Sequence, residues 1–365
     1  MLLQSRQTEI QDIANKIACG KNYIFPAADL GKYLCEHFKK QGINIEAFID
    51  NKKTGFIEEK EILSLNDIQD KNANIIVSSI NYMSDLSKQA EELGFKNVFD
   101  FGELTLIYPE LQTFNQAFTG LKDDYANNKE KYEQLRNILA DEKSKQVLDK
   151  IIEYRKTFDI SLYSKIKDDI NEQYFADFMP KNSEIFIDGG AFDGDTILRA
   201  LNYISPKKFY FFEPDRISLY KAKENLKDIK NIEFFPYGLS DKHKILKFNT
   251  KGNLGSCFSE AGDTEIECVA LDEIVKENKA FIKLDIEGAE IDAINGAKRL
   301  IKAGSPFAIC VYHKPSDIWK IPELILNILF DKTLADYKEN GSIKFYLRHY
   351  TSSVFETVFY GVPIQ

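Results

Sequence analysis

The stretch FIDGGAFDGDT, residues 186–196, constrains this chain more than any other. Ile185, Phe186 and Ile187 read as a buried strand. It stops at Asp188 and opens into Gly189, Gly190 and Gly194 before Asp195 and Thr196 begin a helix. A strand that passes to a helix through glycines starts a βαβ unit, and such units build a parallel sheet with helices on its faces. Ligands of these sheets bind beyond the carboxyl ends of the strands, where this loop would lie. Candidate strands at 185–188, 209–213, 232–236, 281–285 and 307–312 alternate with helical periodicity. Two more, at 343–348 and 354–360, are joined by a short turn, which predicts an antiparallel hairpin at the sheet edge. Residues 244–271 add β-structure between the third and fourth strands.

The first part of the chain alternates as well. Strand-like segments at 23–25, 45–49, 75–78 and 98–101 are separated by helical patterns, so residues 1–111 form a smaller α/β domain. YIFPAADLGKYL, 23–34, stands where a dinucleotide loop would, but only Gly31 remains of its glycines; FID then ends the second strand at Asp50. The layout resembles the small Rossmann-like domains that precede some sugar-modifying transferases. With its loop degraded, it predicts a structural, oligomerising or acceptor-positioning role. Residues 112–176 carry a charged stretch without Gly or Pro and an apolar stripe through Leu135, Leu139, Leu148 and Ile152, which predicts helices connecting the two halves. The second domain then spans 177–365.

Bulk properties exclude several classes. A net charge of -9 argues against a nucleic-acid binder, because phosphate contacts need clustered Lys and Arg. Five cysteines with no C-x-x-C pair support neither a disulfide framework nor a zinc site. The N-terminal residues do not read as a signal peptide, and no apolar run reaches the roughly 18 residues of a membrane span. The expectation is a cytoplasmic protein without an integral membrane segment, with a homo-oligomer left open.

The glycine loop narrows the ligand. G-x-G-x-x-G started at Gly189 fails at Ala191. D-x-G-x-x-x-G is met by Asp188, Gly190 and Gly194, a spacing that resembles the first motif of class I S-adenosylmethionine methyltransferases. FYFFEPD ends the next strand with Glu213, 25 residues after Asp188, where a carboxylate accepts from a ribose diol, and Pro214 opens the turn. The competing readings are an NAD-dependent sugar oxidoreductase or epimerase and a non-catalytic nucleotide-binding scaffold.

A second acidic cluster, FIKLDIEGAE, brings Lys283, Asp285, Glu287 and Glu290 together, with Lys283 and Asp285 on one face of a strand. DGGAFDGDT, FFEPD, ALDEI, FIKLDIEGAEIDAINGA and VYHKPSDIWKIPELI together resemble the FkbM-type methyltransferases over about residues 135–360. The resemblance implies a class I methyltransferase sheet, S-adenosylmethionine as donor, and O-methylation of sugars or glycosylated natural products. By position it assigns the donor loop to Asp188, Gly189, Gly190, Gly194, Asp195 and Thr196, and the ribose to Glu213 beside Pro214. Asp241 falls near the adenine, and Tyr174 and Phe175 lie where the chain closes over the donor.

Methyl transfer to a hydroxyl needs alignment and a base, since the sulfonium is already activated. His313, after the fifth strand, and Asp285 compete for that role. Lys283, Glu287, His313, Lys314, Arg348 and His349 are candidates for holding a glycan or small-molecule acceptor, phosphorylated or nucleotide-linked forms included. No spacing demands a metal.

Overall fold

A computed structural model describes residues 2–115, 117–249, 257–258, 264–338 and 341–364. The chain divides into two compact units. The first comprises Met1–Lys122, Asp149–Lys167 and Thr351–Phe355; the second comprises Asp123–Leu148, Asp168–Tyr350 and Glu356–Gln365. The helical stretch expected as a connector is thus shared between them.

The first unit holds β1 (Asn22–Phe25), β2 (Ile45–Ile49), β3 (Gly55–Ile57), β4 (Lys60–Leu63), β5 (Asn74–Val77) and β6 (Asn97–Asp100), in the order β3-β4-β2-β1-β5-β6. All pairs are parallel except β3–β4. Ile75, Ile76 and Val77 are fully covered, as central parallel strands require. The strand-end acid Asp50 accepts backbone N–H groups from Ala27 at 3.2 Å and from Lys52 and Lys53 at 2.9 Å, so it ties down its own loop.

In the second unit the strands are β7 (Ile185–Gly189), β8 (Lys208–Phe212), β9 (Ile232–Phe235), β10 (Gly238–Leu239), β11 (Lys244–Asn249), β12 (Cys257–Phe258), β13 (Thr264–Val269), β14 (Phe281–Leu284), β15 (Phe307–Cys310), β16 (Ile343–His349) and β17 (Thr357–Pro363). Seven of them form the main sheet in the order β16-β17-β15-β14-β7-β8-β9, while β11 to β13, within the expected 244–271, form a small sheet with β10, which lies before it. The terminal hairpin is antiparallel, as expected, but β17 inserts between β15 and β16, leaving β16 at the edge. Val358, Phe359 and Tyr360 of β17 have no exposed surface.

Register sets the site. Asp188 lies beside Lys283 and Phe211, and Gly189 beside Leu284 and Phe212. The strands therefore end level, and Gly190, Glu213 and Asp285 emerge together at one edge. Beneath them is an aromatic core, with Phe175 stacked on Tyr203 at 5.5 Å and packed against Phe186 and Phe281.

Candidate active site

The loop after β7 requires its glycines. Gly190 has φ +71, and a Cβ there would meet the Asp285 carbonyl oxygen at 1.8 Å. Gly194 has φ +90, and its Cβ would press on Leu226 at 2.7 Å. Both angles are left-handed, which glycine adopts without steric cost. Phe192 between them also has a positive φ, +46, and its N–H donates to Glu213 at 2.9 Å. The other Glu213 oxygen accepts from Asp215 N–H at 2.8 Å. Each oxygen keeps further acceptor capacity, in a fixed orientation, for a diol. Burial pushes the Glu213 carboxyl up to about 7 against these two bonds.

Asp188 is fully buried and stands 3.0 Å from Lys283, itself 2% exposed. Lys283 also donates to the carbonyls of Gly189 at 3.2 Å and Gly190 at 2.8 Å. Burial pulls the ammonium down, but Asp188 and Asp285 raise it further, so the proton stays on Lys283. The expected substrate residue Lys283 and the expected donor residue Asp188 are thus an internal ion pair that shapes the loop; neither is open to solvent. Asp195 pairs with Arg199 at 3.0 Å, and Thr196 is buried. Pro214 is half-buried before Asp215, which caps the helix Arg216–Asn225.

Asp285 is the hub of the site. It accepts from Tyr174 and Tyr312, each at 2.9 Å. Burial favours its neutral form, yet Lys283, His313 and the two phenols outweigh this and hold it low. The Tyr174 hydroxyl accepts from the Gln173 amide at 3.1 Å, and that same amide nitrogen reaches Glu356. Arg199 donates to the Gln173 carbonyl oxygen at 3.2 Å, which fixes the amide's orientation. Glu356 stands 3.4 Å from the Tyr312 hydroxyl. Burial and Asp285 push its carboxyl up to about 7. Tyr174, Glu287 and Glu356 all hold left-handed φ, at +70, +55 and +69. Bulky residues held in this conformation concentrate at functional sites.

His313 is 4% exposed, with Nδ1 3.0 Å from Glu290, and Nε2 3.4 Å from Asp285 and 3.7 Å from Glu287. Burial alone would lower it, but these three carboxylates raise it to about 10. The three carboxylates favour the imidazolium, a form with no vacancy for a proton, so these surroundings do not favour the expected role of His313 as the base. Glu287 is pushed up to about 7 by burial and by Asp285, Glu290 and Glu213, and 43% of its side chain is exposed. Lys314 is exposed and caps the Gly288 carbonyl. Asp317, buried, accepts from Lys314 N–H at 3.0 Å.

Several expected residues are used elsewhere. Arg348 makes a bidentate pair with Asp141, at 2.6 and 3.2 Å, and bonds Ser144 at 2.7 Å. His349 has no exposed surface and bonds Thr357 at 2.8 Å. Both sit at the buried C-terminal end of β16 and are engaged by these partners. Phe175 belongs to the aromatic core. Asp241 is exposed and pairs with Lys244 at 2.9 Å.

Conversely, Glu356 carries no motif of its own, and nothing within VYHKPSDIWKIPELI singles out Tyr312. Two sets, Asp285–Glu290–His313 and Asp285–Cys310–Glu356, are close enough to share an ion. In the first the imidazolium already supplies the positive charge; in the second burial keeps the Cys310 thiol protonated.

The lone antiparallel strand β17, set between β15 and β16, makes this sheet the class I methyltransferase fold rather than a dinucleotide-binding one. Residues 188–348 match the model of the methyltransferase FkbM domain. A crystal structure of methyltransferase FkbM from Methylobacillus flagellatus KT superposes with a TM-score of 0.77 at 20% identity, covering 97% of this chain and 92% of that one. Weaker likenesses include an rRNA methylase from Streptococcus thermophilus (TM-score 0.33, 17% identity, 54% of this chain and 95% of that one). A methyltransferase from Streptococcus mutans in complex with SAH gives TM-score 0.32 and 19% identity over 54% of this chain and 97% of that one. No curated protein matches the chain.

Proposed function

We propose that this chain is an S-adenosylmethionine-dependent O-methyltransferase acting on a hydroxyl of a sugar or sugar-linked acceptor. The observation that carries the donor half is Gly190 locked against Asp285, where any side chain would collide with backbone. The missing side chain lets the loop turn tightly against Asp285, which fixes the backbone at the strand edge, and Glu213 stands at the same edge with acceptor capacity for a ribose. Gly190, Gly194, Phe192 and Glu213 would hold the donor, whose sulfonium supplies an activated methyl group. Asp188 and Lys283 fix the loop from behind.

For the acceptor, the reading rests on Asp285, Glu287, Tyr312 and Glu356, all partly exposed. Carboxylates and phenols bind hydroxyls well and repel phosphate. With Arg348 and His349 engaged elsewhere, a neutral sugar suits this face better than a phosphorylated one. Cys19, Cys35, Cys268 and Cys310 are free thiols, which fits the reducing compartment of the proposed cytoplasmic location. Among the described residues no helix is long and apolar enough to cross a membrane.

Calorimetric titration with S-adenosylhomocysteine and with NAD tests the donor half. Micromolar binding of the first alone is expected. Binding of NAD alone would overturn the reading in favour of an oxidoreductase.

A further inference from the structure

The hydrogens in the ring around Asp285 can be counted. Tyr174 and Tyr312 each have one hydroxyl proton, and both go to Asp285 at 2.9 Å. The Gln173 amide has two, one for Tyr174 and one for Glu356 Oε2. That leaves Glu356 Oε1 facing the Tyr312 oxygen at 3.4 Å with no proton between them. The ring Asp285–Tyr312–Glu356–Gln173–Tyr174 therefore closes on a single vacancy, at Glu356 Oε1. Asp285 is a poor acceptor because two phenols already serve it and Lys283 and His313 hold it ionised. The charged and titratable groups facing Glu356 are Asp285, Tyr312, Tyr174, Cys310, His313 and Lys283.

We infer that Glu356 takes the hydroxyl proton of the acceptor, and that the charge of the bound donor empties it beforehand. This rests on the methyltransferase reading above. The acceptor oxygen forms a bond to the methyl carbon while the carbon–sulfur bond breaks, and that electron pair stays on sulfur, which becomes neutral. The hydroxyl proton passes to Glu356 Oε1, where it makes the missing bond to Tyr312. A sulfonium near the ring favours carboxylate at Glu356. The neutral thioether left after transfer lets Glu356 keep the proton. Loading a methyl group thus raises the share of molecules in which the base is armed.

The test is proton release on binding, measured by calorimetry of the full-length chain at pH 7 in phosphate and in Tris, buffers of different ionisation enthalpy. S-adenosylmethionine is expected to release roughly half a proton more than S-adenosylhomocysteine, since a carboxyl near 7 is about half-protonated there. Glu356→Gln should abolish the difference and Glu287→Gln should retain it. If Glu356→Gln does not fold, Glu356→Asp should keep the difference at a shifted pH midpoint. Equal proton release for both ligands, or a difference lost in Glu287→Gln instead, overturns the inference while leaving donor binding intact. Binding of neither ligand overturns the donor reading itself.

Discussion

Asp285 and Glu356 are joined through one phenol: the Tyr312 hydroxyl lies 2.9 Å from the first and 3.4 Å from the second. It stands between two half-buried acids and gives one of them its only proton. Tyr312→Phe leaves Asp285 short of a donor, and an unmet buried charged acceptor costs about 1–3 kcal/mol or more. Urea unfolding should show a loss of that size; a loss within error of zero would show that the bond does not exist in solution.

Gly190 and Gly304 separate conformational strain from collision. Gly304 has φ +80 and nothing nearer than 3.6 Å, so Gly304→Ala should cost only the roughly 1–2 kcal/mol of a left-handed residue and leave S-adenosylhomocysteine affinity unchanged. Gly190→Ala, with its Cβ at 1.8 Å from backbone, must move the loop and should abolish binding in the same calorimetric assay.

Glu213 makes donor affinity pH-dependent. Its carboxyl sits at about 7, and the ionised form is the better acceptor for two ribose hydroxyls. Affinity for S-adenosylhomocysteine should rise from pH 6 to 8. Glu213→Gln should flatten that rise and weaken binding about tenfold to a hundredfold, the value of charge-assisted bonds of about 1.5–3 kcal/mol. A parallel rise in the variant would assign the dependence to another group.

His313 gives stability the opposite slope at higher pH. Its folded value of about 10 lies above the unfolded 6.5, so its contribution is complete below 6.5 and is lost as pH rises toward 10. Glu213, Glu287 and Glu356 are half-titrated near 7 and Asp317 near 6, so their slopes fade above about pH 8 and the window from there to about 9.5 is left to His313. Melting temperature should fall through that window, by at most about 1.4 kcal/mol of stability per pH unit. His313→Gln should remove the slope.

Arg348 is a structural residue on this account. Arg348→Met strands Asp141, whose carboxyl is held at about 2 with Arg348 and Ser144 opposing its burial. Breaking a buried pair costs about 3–5 kcal/mol, with less expected here because Asp141 is about a third exposed. Denaturant unfolding should register the loss while S-adenosylhomocysteine affinity stays unchanged. A large affinity loss would return Arg348 to the site.

Much of the site was legible in the order of residues. A strand that stops at Asp188 and opens into Gly190 and Gly194 announces its own turn, because few other residues tolerate those angles. Glu213 and Asp285 are legible for a related reason, since each ends an apolar strand of a parallel sheet. The β3–β4 hairpin was hidden because its two-residue turn is Glu58–Glu59, both at positive φ, where Asn and Gly are the usual signal.

What sequence alone determined is the alternation of strands and helices, the glycine turn and the acids that close each strand, all local consequences of period and backbone freedom. Partnership was decided only by tertiary structure. Lys283, Arg348 and His313 look alike as cations near a site. Burial against Asp188, Asp141 and three carboxylates makes the first a loop brace, the second a strand anchor and the third a fixed charge. Glu356 lies 168 residues beyond Asp188 and joins the ring only because β17 folds back between β15 and β16. A side chain's charge state and hydrogen-bond count depend on neighbours brought from distant parts of the chain, and no local pattern encodes them.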